Sequence, residues 1–130
     1  LHSTPGATVG ILSFGSTESA VLEAMHQLET QHGLKADFLR VRALPFTREV
    51  TEFVSRYDQI FVVEMNRDGQ MKQILTMEYP DQAPHFRSVA YGDGMPASAR
   101  WIREGILARY AVPANSNGKS ATIADPTPLS

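Results

Sequence analysis

Polar residues able to do chemistry gather in three short clusters: Gly15-Ser16-Thr17, the pair Arg40 and Arg42, and the run Glu64-Met65-Asn66-Arg67-Asp68-Gly69-Gln70. Gly15 and Ser16 at the amino end of a helix would offer free backbone N–H groups to an anion, and Ser16 or Thr17 would cap that helix through a hydroxyl oxygen. A dinucleotide fingerprint requires three glycines here and only Gly15 is present, so a plain capped turn is the simpler account. Glu64 ends an apolar run, and Arg42 from a neighbouring strand is its expected partner, since a guanidinium and a carboxylate hold each other by bidentate bonds in a half-buried crevice. Acid or base work by Glu64 would need a second titratable group and a substrate pocket. Asn66, Gly69 and Gln70 read as a turn into a helix, with Gly69 taking the unusual dihedrals.

Other chemistries lack their residues. His2, His26, His32 and His85 are scattered without the spacing that puts two imidazoles on one helical face. Ser13, Ser16 and Ser19 lack the glycine-flanked elbow of a hydrolase nucleophile. Gly118-Lys119-Ser120 imitates the end of a phosphate-binding loop, but Pro113 stands where that motif needs its first glycine, and neither the strand before nor the helix after is in the pattern. With no cysteine in the chain, disulfides, thiolate metal sites and a cysteine nucleophile are excluded.

The elements that must position these clusters follow from periodicity. Residues 8–14 read as a strand, and Val21, Leu22, Met25 and Leu28 form one stripe of a helix that Gly33 closes. Residues 38–43 form a second strand, and Leu44-Pro45-Phe46-Thr47 turns the chain into a helix with Val50, Phe53, Val54 and Tyr57 on its core side. Residues 59–64 carry Ile60, Phe61, Val62 and Val63 without a polar break, as a central parallel strand does. A third helix is expected from near Asp68 with Met71, Ile74 and Leu75, and a fourth strand over 86–91 before the break at Gly92-Asp93-Gly94. A last helix over 97–110 would bury Trp101 or Ile102 together with Ile106 and Leu107. Strand and helix alternate four times, which means an α/β fold with a mostly parallel sheet covered on both faces. The polar clusters then all leave the carboxyl ends of strands, where such sheets meet their ligands and partners.

The 130 residues fit one domain, expected over 8–111, with 1–7 as a linker and 112–130, rich in Pro, Asn, Ser and Thr, as a flexible tail. The 42% hydrophobic share supplies a core, and 14 acidic against 12 basic residues leave a net charge of −2, which gives no field for gripping nucleic acid. Apolar runs fall far short of the roughly 18 residues of a membrane span. No secretory signal is visible, a cytoplasmic location is expected, and a first residue of Leu suggests a fragment or a processed chain.

Three stretches in order, VGILSFGSTESAVLEA at 9–24, LRVRALPF at 39–46 and VVEMNRDGQ at 62–70, together with the YGDGMP turn at 91–96, resemble one family. They are similar to the carboxyl-terminal domain of the alpha subunit of 2-oxoacid:ferredoxin oxidoreductases, within the wider transketolase carboxyl-terminal-like group. The resemblance implies a three-layer αβα sandwich whose sheet has about five strands, one edge strand antiparallel to the rest. It implies a parent enzyme that oxidises a 2-oxoacid with coenzyme A to an acyl-CoA and CO2, using thiamine diphosphate and Mg2+, and that reduces ferredoxin through iron-sulfur clusters. The implied partners are the pyrimidine-binding domain of the same subunit, a beta subunit carrying the diphosphate-binding domain, and ferredoxin through the whole complex, with no nucleic acid and no membrane. This piece is then an assembly domain with no catalytic, cofactor-binding or metal-binding residue of its own. Its matching positions, Gly15, Ser16, Arg42, Glu64, Asn66, Gly69 and Gln70, are implied to be interface or architectural residues.

Two other readings stand beside this one. The chain could be a stand-alone α/β module that binds an anion or nucleotide at the Gly15-Ser16 turn. Alternatively, the same fold could belong to a transketolase-like or dehydrogenase-E1-like parent, against which the Glu64-Met65-Asn66 turn followed by Gly69-Gln70 favours the ferredoxin-linked branch.

Overall fold

Ile60, Phe61, Val62 and Val63 are all fully buried, because β3 (Ile60–Glu64) lies inside a sheet that helices cover on both faces. The computed structural model of the chain describes residues 1–14, 18–41, 44–64, 70–90 and 98–111. Within them β1 (Val9–Phe14) leads to α1 (Glu18–His32), β2 (Ala36–Val41) to α2 (Arg48–Val54), and β3 to α3 (Gln70–Glu78). A 3-10 turn (Pro80–His85), β4 (Phe86–Ala90) and α4 (Ala99–Arg109) complete the order.

The strand order is β2-β1-β3-β4, with every pair parallel. The chain therefore steps from β1 outward to β2, crosses back over β1, and continues through β3 to β4. Its direction reverses between β1 and β3, and in such sheets this reversal opens a crevice at the carboxyl ends.

Side chains alternate between two cores. Val9, Ile11, Phe38, Phe61 and Val63 point to one face, where they meet Val21 and Leu28 of α1 and Ile102 and Ile106 of α4. Leu12, Leu39, Ile60 and Val62 point to the other, against Phe53 and Val54 of α2, Leu75 of α3 and Phe86. Two glycines let these layers close. A Cβ on Gly10 would stand 2.7 Å from Cδ2 of Tyr57 and 2.9 Å from Cε2 of Phe53, and one on Gly105 would stand 2.7 Å from Cγ1 of Val89. Gly33 ends α1 at φ 67°, with the Leu34 N–H donating to the Leu28 carbonyl, as its sequence position indicated.

Several expectations change. The antiparallel edge strand of a five-stranded sheet is, among the described residues, a single bridge between His2 and Phe38 on the outer edge of β2, beside four parallel strands. After that bridge the chain turns at Pro5 and Gly6, where Gly6 takes φ 82° and the Ala7 N–H donates to the Thr4 carbonyl. β2 starts at Ala36, two residues before the expected Phe38. Of the two candidates on α4, Ile102 is buried and Trp101 stays 47% exposed. Ile74, expected in the core stripe of α3, lies at the surface, and Leu75 is the one fully buried side chain of that helix. Tyr57 is buried as expected but sits beyond the end of α2, and its hydroxyl donates to Asp37 Oδ2. Burial first, and then that bond, push the Tyr57 phenol up to about 12.

Candidate functional site

The carboxyl ends of β1, β2 and β3 hold two arrangements on opposite faces of the sheet. The first is Glu64, the last residue of β3, which is 2% exposed. Its Oε1 accepts the Met71 N–H at 3.0 Å and its Oε2 accepts the Lys72 N–H at 3.3 Å. These are N–H groups of the first turn of α3, which has no intrahelical carbonyl to bond there, so a strand carboxylate caps the helix that follows it. Burial pushes the Glu64 carboxyl above the ordinary glutamate range, and the two amides pull it back in part. With little exposed surface and each oxygen accepting a backbone amide, Glu64 caps the amino end of α3.

The second arrangement surrounds Glu18 at the start of α1. Its Oε2 lies 3.0 Å from His2 Nε2, and its Oε1 accepts from Arg40 Nη1 at 3.3 Å. The hydrogen bond from His2 is the largest influence on Glu18, and together with Arg40 it holds the carboxyl below the usual range despite some desolvation. Arg40 is in register with Ser13 of β1, whose hydroxyl is fully buried and has no hydrogen-bond partner among the described residues. Beside this group a cleft of about 460 Å3 opens at the end of β2, bounded by His2, Glu18, Arg40, Leu44 and Glu49. Its described lining mixes both charge signs with apolar surface.

Of the seven positions singled out in the sequence, Glu64 and Gln70 are placed by the structure. They are brought together, since Glu64 bonds the two residues that follow Gln70, the exposed first residue of α3. Gly15, Ser16, Arg42, Asn66 and Gly69 lie outside the described residues, so the expected pairing of Arg42 with Glu64 is not described either. Sequence reasoning missed Glu18 and His2. Glu18 carried a signal, an acid in the first turn of the helix, where it complements the positive end. His2 carried none, because its contact spans 16 positions.

Among the described residues no group of three or more His, Asp or Glu side chains is placed to hold a metal ion. Among them, too, no helix is long and apolar enough to cross a membrane.

No family model matches the chain. It is 39% identical over 77 residues to subunit alpha of 2-oxoacid:ferredoxin oxidoreductase 2 from Aeropyrum pernix, which covers 58% of this chain and 12% of that protein. It is 26% identical over 110 residues to the alpha subunit of the 2-oxoacid:ferredoxin oxidoreductase of Saccharolobus solfataricus, covering 83% of this chain and 17% of that one. Among solved structures, the 2-oxoglutarate:ferredoxin oxidoreductase of Magnetococcus marinus, with 2-oxoglutarate, coenzyme A and succinyl-CoA bound, aligns with a TM-score of 0.58 and 27% identity over 78% of this chain and 17% of its own. A split-gene transketolase, an inactive beta4 tetramer, aligns with a TM-score of 0.63 at 20% identity over 78% of this chain and 39% of its own, a likeness of fold. The chain thus spans about an eighth to a sixth of the curated relatives it matches, 12 and 17%.

Proposed function

Taking as premise a chain that resembles the alpha subunits of 2-oxoacid:ferredoxin oxidoreductases and has a transketolase carboxyl-terminal-like fold, we propose that residues 8–111 are a non-catalytic assembly domain of such a subunit. The domain packs against the pyrimidine-binding domain of its own subunit and contacts the beta subunit that carries the diphosphate-binding domain. The parent complex converts a 2-oxoacid and coenzyme A to an acyl-CoA and CO2, and passes the electrons to ferredoxin. In this reading Gly15, Ser16, Arg42, Glu64, Asn66, Gly69 and Gln70 are interface or architectural residues at the carboxyl ends of the strands.

One observation carries the reading: the likeness to alpha subunits runs through 83% of the chain yet takes up 17% of the relative's length, the proportion of one domain among several. Thiamine diphosphate, Mg2+ and iron-sulfur clusters belong in this proposal to the rest of the complex. An iron-sulfur cluster bound through thiolates finds no ligand in a chain without cysteine, and the described residues offer no cluster for Mg2+. What this chain's residues do is mechanical: Glu64 fixes the amino end of α3, and the two cores fix the strand ends beside it.

The test is a calorimetric titration of the chain with thiamine diphosphate and Mg2+, paired with an anaerobic assay of 2-oxoacid- and coenzyme A-dependent viologen reduction by the chain alone. The expected result is no saturable binding and no turnover. A Mg2+-dependent, saturable titration would overturn the non-catalytic reading.

A further inference from the structure

Trp101 is the one tryptophan of the chain, and it stands 47% exposed in the first turn of α4. The Ser98 hydroxyl caps that turn by accepting the Trp101 N–H at 3.1 Å, which fixes the backbone that carries the ring. Gly105 follows Trp101 by four positions and shares its flank of the helix. That flank turns toward β4, because a Cβ on Gly105 would stand 2.7 Å from Cγ1 of Val89, and β4 is the last strand in the order β2-β1-β3-β4. Beside Trp101 and Gly105 the surface is hollow over about 540 Å3, with Ser98, Arg100 and Glu104 completing its described lining. At the rim Arg100 Nε donates to Glu104 Oε2 at 3.0 Å, and both side chains are more than half exposed.

One patch thus holds a large exposed aromatic, a hollow beside it and both signs of charge. A patch of this kind is complementary to itself, because a two-fold axis makes each contact twice: residue i of one copy meets residue j of the other, and j meets i. We propose that α4 is a homotypic contact surface, on which a second copy of this chain lays its own α4 antiparallel, seats each Trp101 in the hollow beside the other copy's Gly105, and sets each Arg100 opposite the other copy's Glu104. The register is consistent with both contacts. With Trp101 level with Gly105 of the second copy the helices cross at Arg103, and Glu104 of that copy comes level with Ile102, two residues or about 3 Å along the axis from Arg100. Arg103 at the crossing is turned to α1, where its Nη1 donates to Gln27 Oε1 at 2.5 Å. A tryptophan seated in a pocket and ringed by polar groups is the usual anchor of such a contact. The pairing goes beyond the assembly role proposed above, since it joins like to like rather than to another domain.

An 11-residue helix is about 16 Å long and offers less than the roughly 800 Å2 that a stable interface buries on each partner, so the expected association is weak, in the upper micromolar range. Sedimentation velocity on the full chain from about 10 to 1,000 µM is expected to show a reversible equilibrium of monomer and dimer. Over the same range the emission of Trp101 is expected to move to shorter wavelength as the ring leaves water. Trp101→Ala removes the anchor and is expected to weaken the dimer about tenfold or more. Arg100→Glu and Glu104→Arg each bring like charges together twice across the axis and are expected to weaken it as well, whereas an equimolar mixture of the two variants sets an acidic face against a basic one and is expected to restore the dimer. A role confined to the stability of α4 itself would show no such rescue. A chain that stays monomeric with unshifted emission would overturn the contact and leave α4 to a different partner. A dimer undiminished by Trp101→Ala, or a mixture that does not recover, would overturn it too. Because the readout is the association of this chain with itself, it stands or falls independently of the assembly role.

Discussion

The two faces of the sheet each close over a glycine, and they do so in opposite ways. On the α2 face the glycine is in the strand: Gly10 of β1 leaves room for the rings of Phe53 and Tyr57. On the α4 face it is in the helix: Gly105 lets Val89 of β4 approach to the same depth. The α1/α4 face is also the better tied. Its helices run 15 and 11 residues, bury Val21, Ala24, Leu28, Ile102 and Ile106, and are bridged by Arg103 Nη1 donating to Gln27 Oε1 at 2.5 Å. On the other face α2 and α3 are 7 and 9 residues long, and α3 buries only Leu75. That difference explains why a buried carboxylate belongs under α3: a short helix with one core anchor gains from having its first amides held by the strand before it.

The largest break in this comparison comes from the shared centre. Phe61→Ala removes a fully buried ring from the α1/α4 face and is expected to cost about 3 to 5 kcal/mol in chemical unfolding. Phe46→Ala, at a half-buried ring that tilts against Tyr79 at 5.8 Å, is expected to cost far less. Comparable losses at the two sites would contradict the assignment of β3 as a central strand.

Next come the two glycines. Gly10→Ala forces a methyl group into two packed rings and is expected to destabilise by about 1 to 3 kcal/mol. Gly105→Ala meets a similar clash with Val89, but it gains about 1 kcal/mol of helix propensity, so its net loss is expected to be smaller. Equal losses would mean that the faces do not differ in the way described.

The smallest effect sharpens the account of α3. Because the Glu64 carboxyl is raised in the folded chain, its contribution to stability is fully present below the ordinary glutamate range and is lost as pH rises through the raised value. Glu64→Gln keeps one acceptor for the α3 amides and has no charge to desolvate, so its stability should lack that pH-dependent component. Thermal melts of both forms between pH 4 and 8 read the difference, and parallel curves would contradict it.

Much of this was legible in the sequence because it is local. The unbroken run at Ile60 to Val63 announced a central strand, the spacing of Val21 and Leu28 gave the stripe of α1, and Gly33 marked its end. What was not legible depends on contacts between distant segments. Trp101 and Ile102 are neighbours on a 3.6-residue helix, and only the angle at which α4 meets the sheet selects Ile102. Gly10 reads as an ordinary strand residue until Phe53 and Tyr57 arrive above it. Glu64 suggested a guanidinium partner by its charge, and Arg42 lies outside the described residues; the bonds it makes to Met71 and Lys72 are to backbone amides, which no side-chain pattern reveals. His2, in a segment expected to be a linker, bonds β2 and α1. Of the candidate interface positions, the turn residues fall outside the described residues, so the sequence motif carries them into the proposal with Glu64 and Gln70 as their described flank.

The central claim, that this domain serves a larger 2-oxoacid-oxidising complex without catalysing anything itself, is tested most directly by isolating the native protein anaerobically with an antibody to this domain. The chain is then sized, and the preparation is assayed for 2-oxoacid- and coenzyme A-dependent viologen reduction. The account expects a subunit far longer than 130 residues, in a complex whose activity requires thiamine diphosphate. A free 14.3 kDa chain with no associated activity would contradict it.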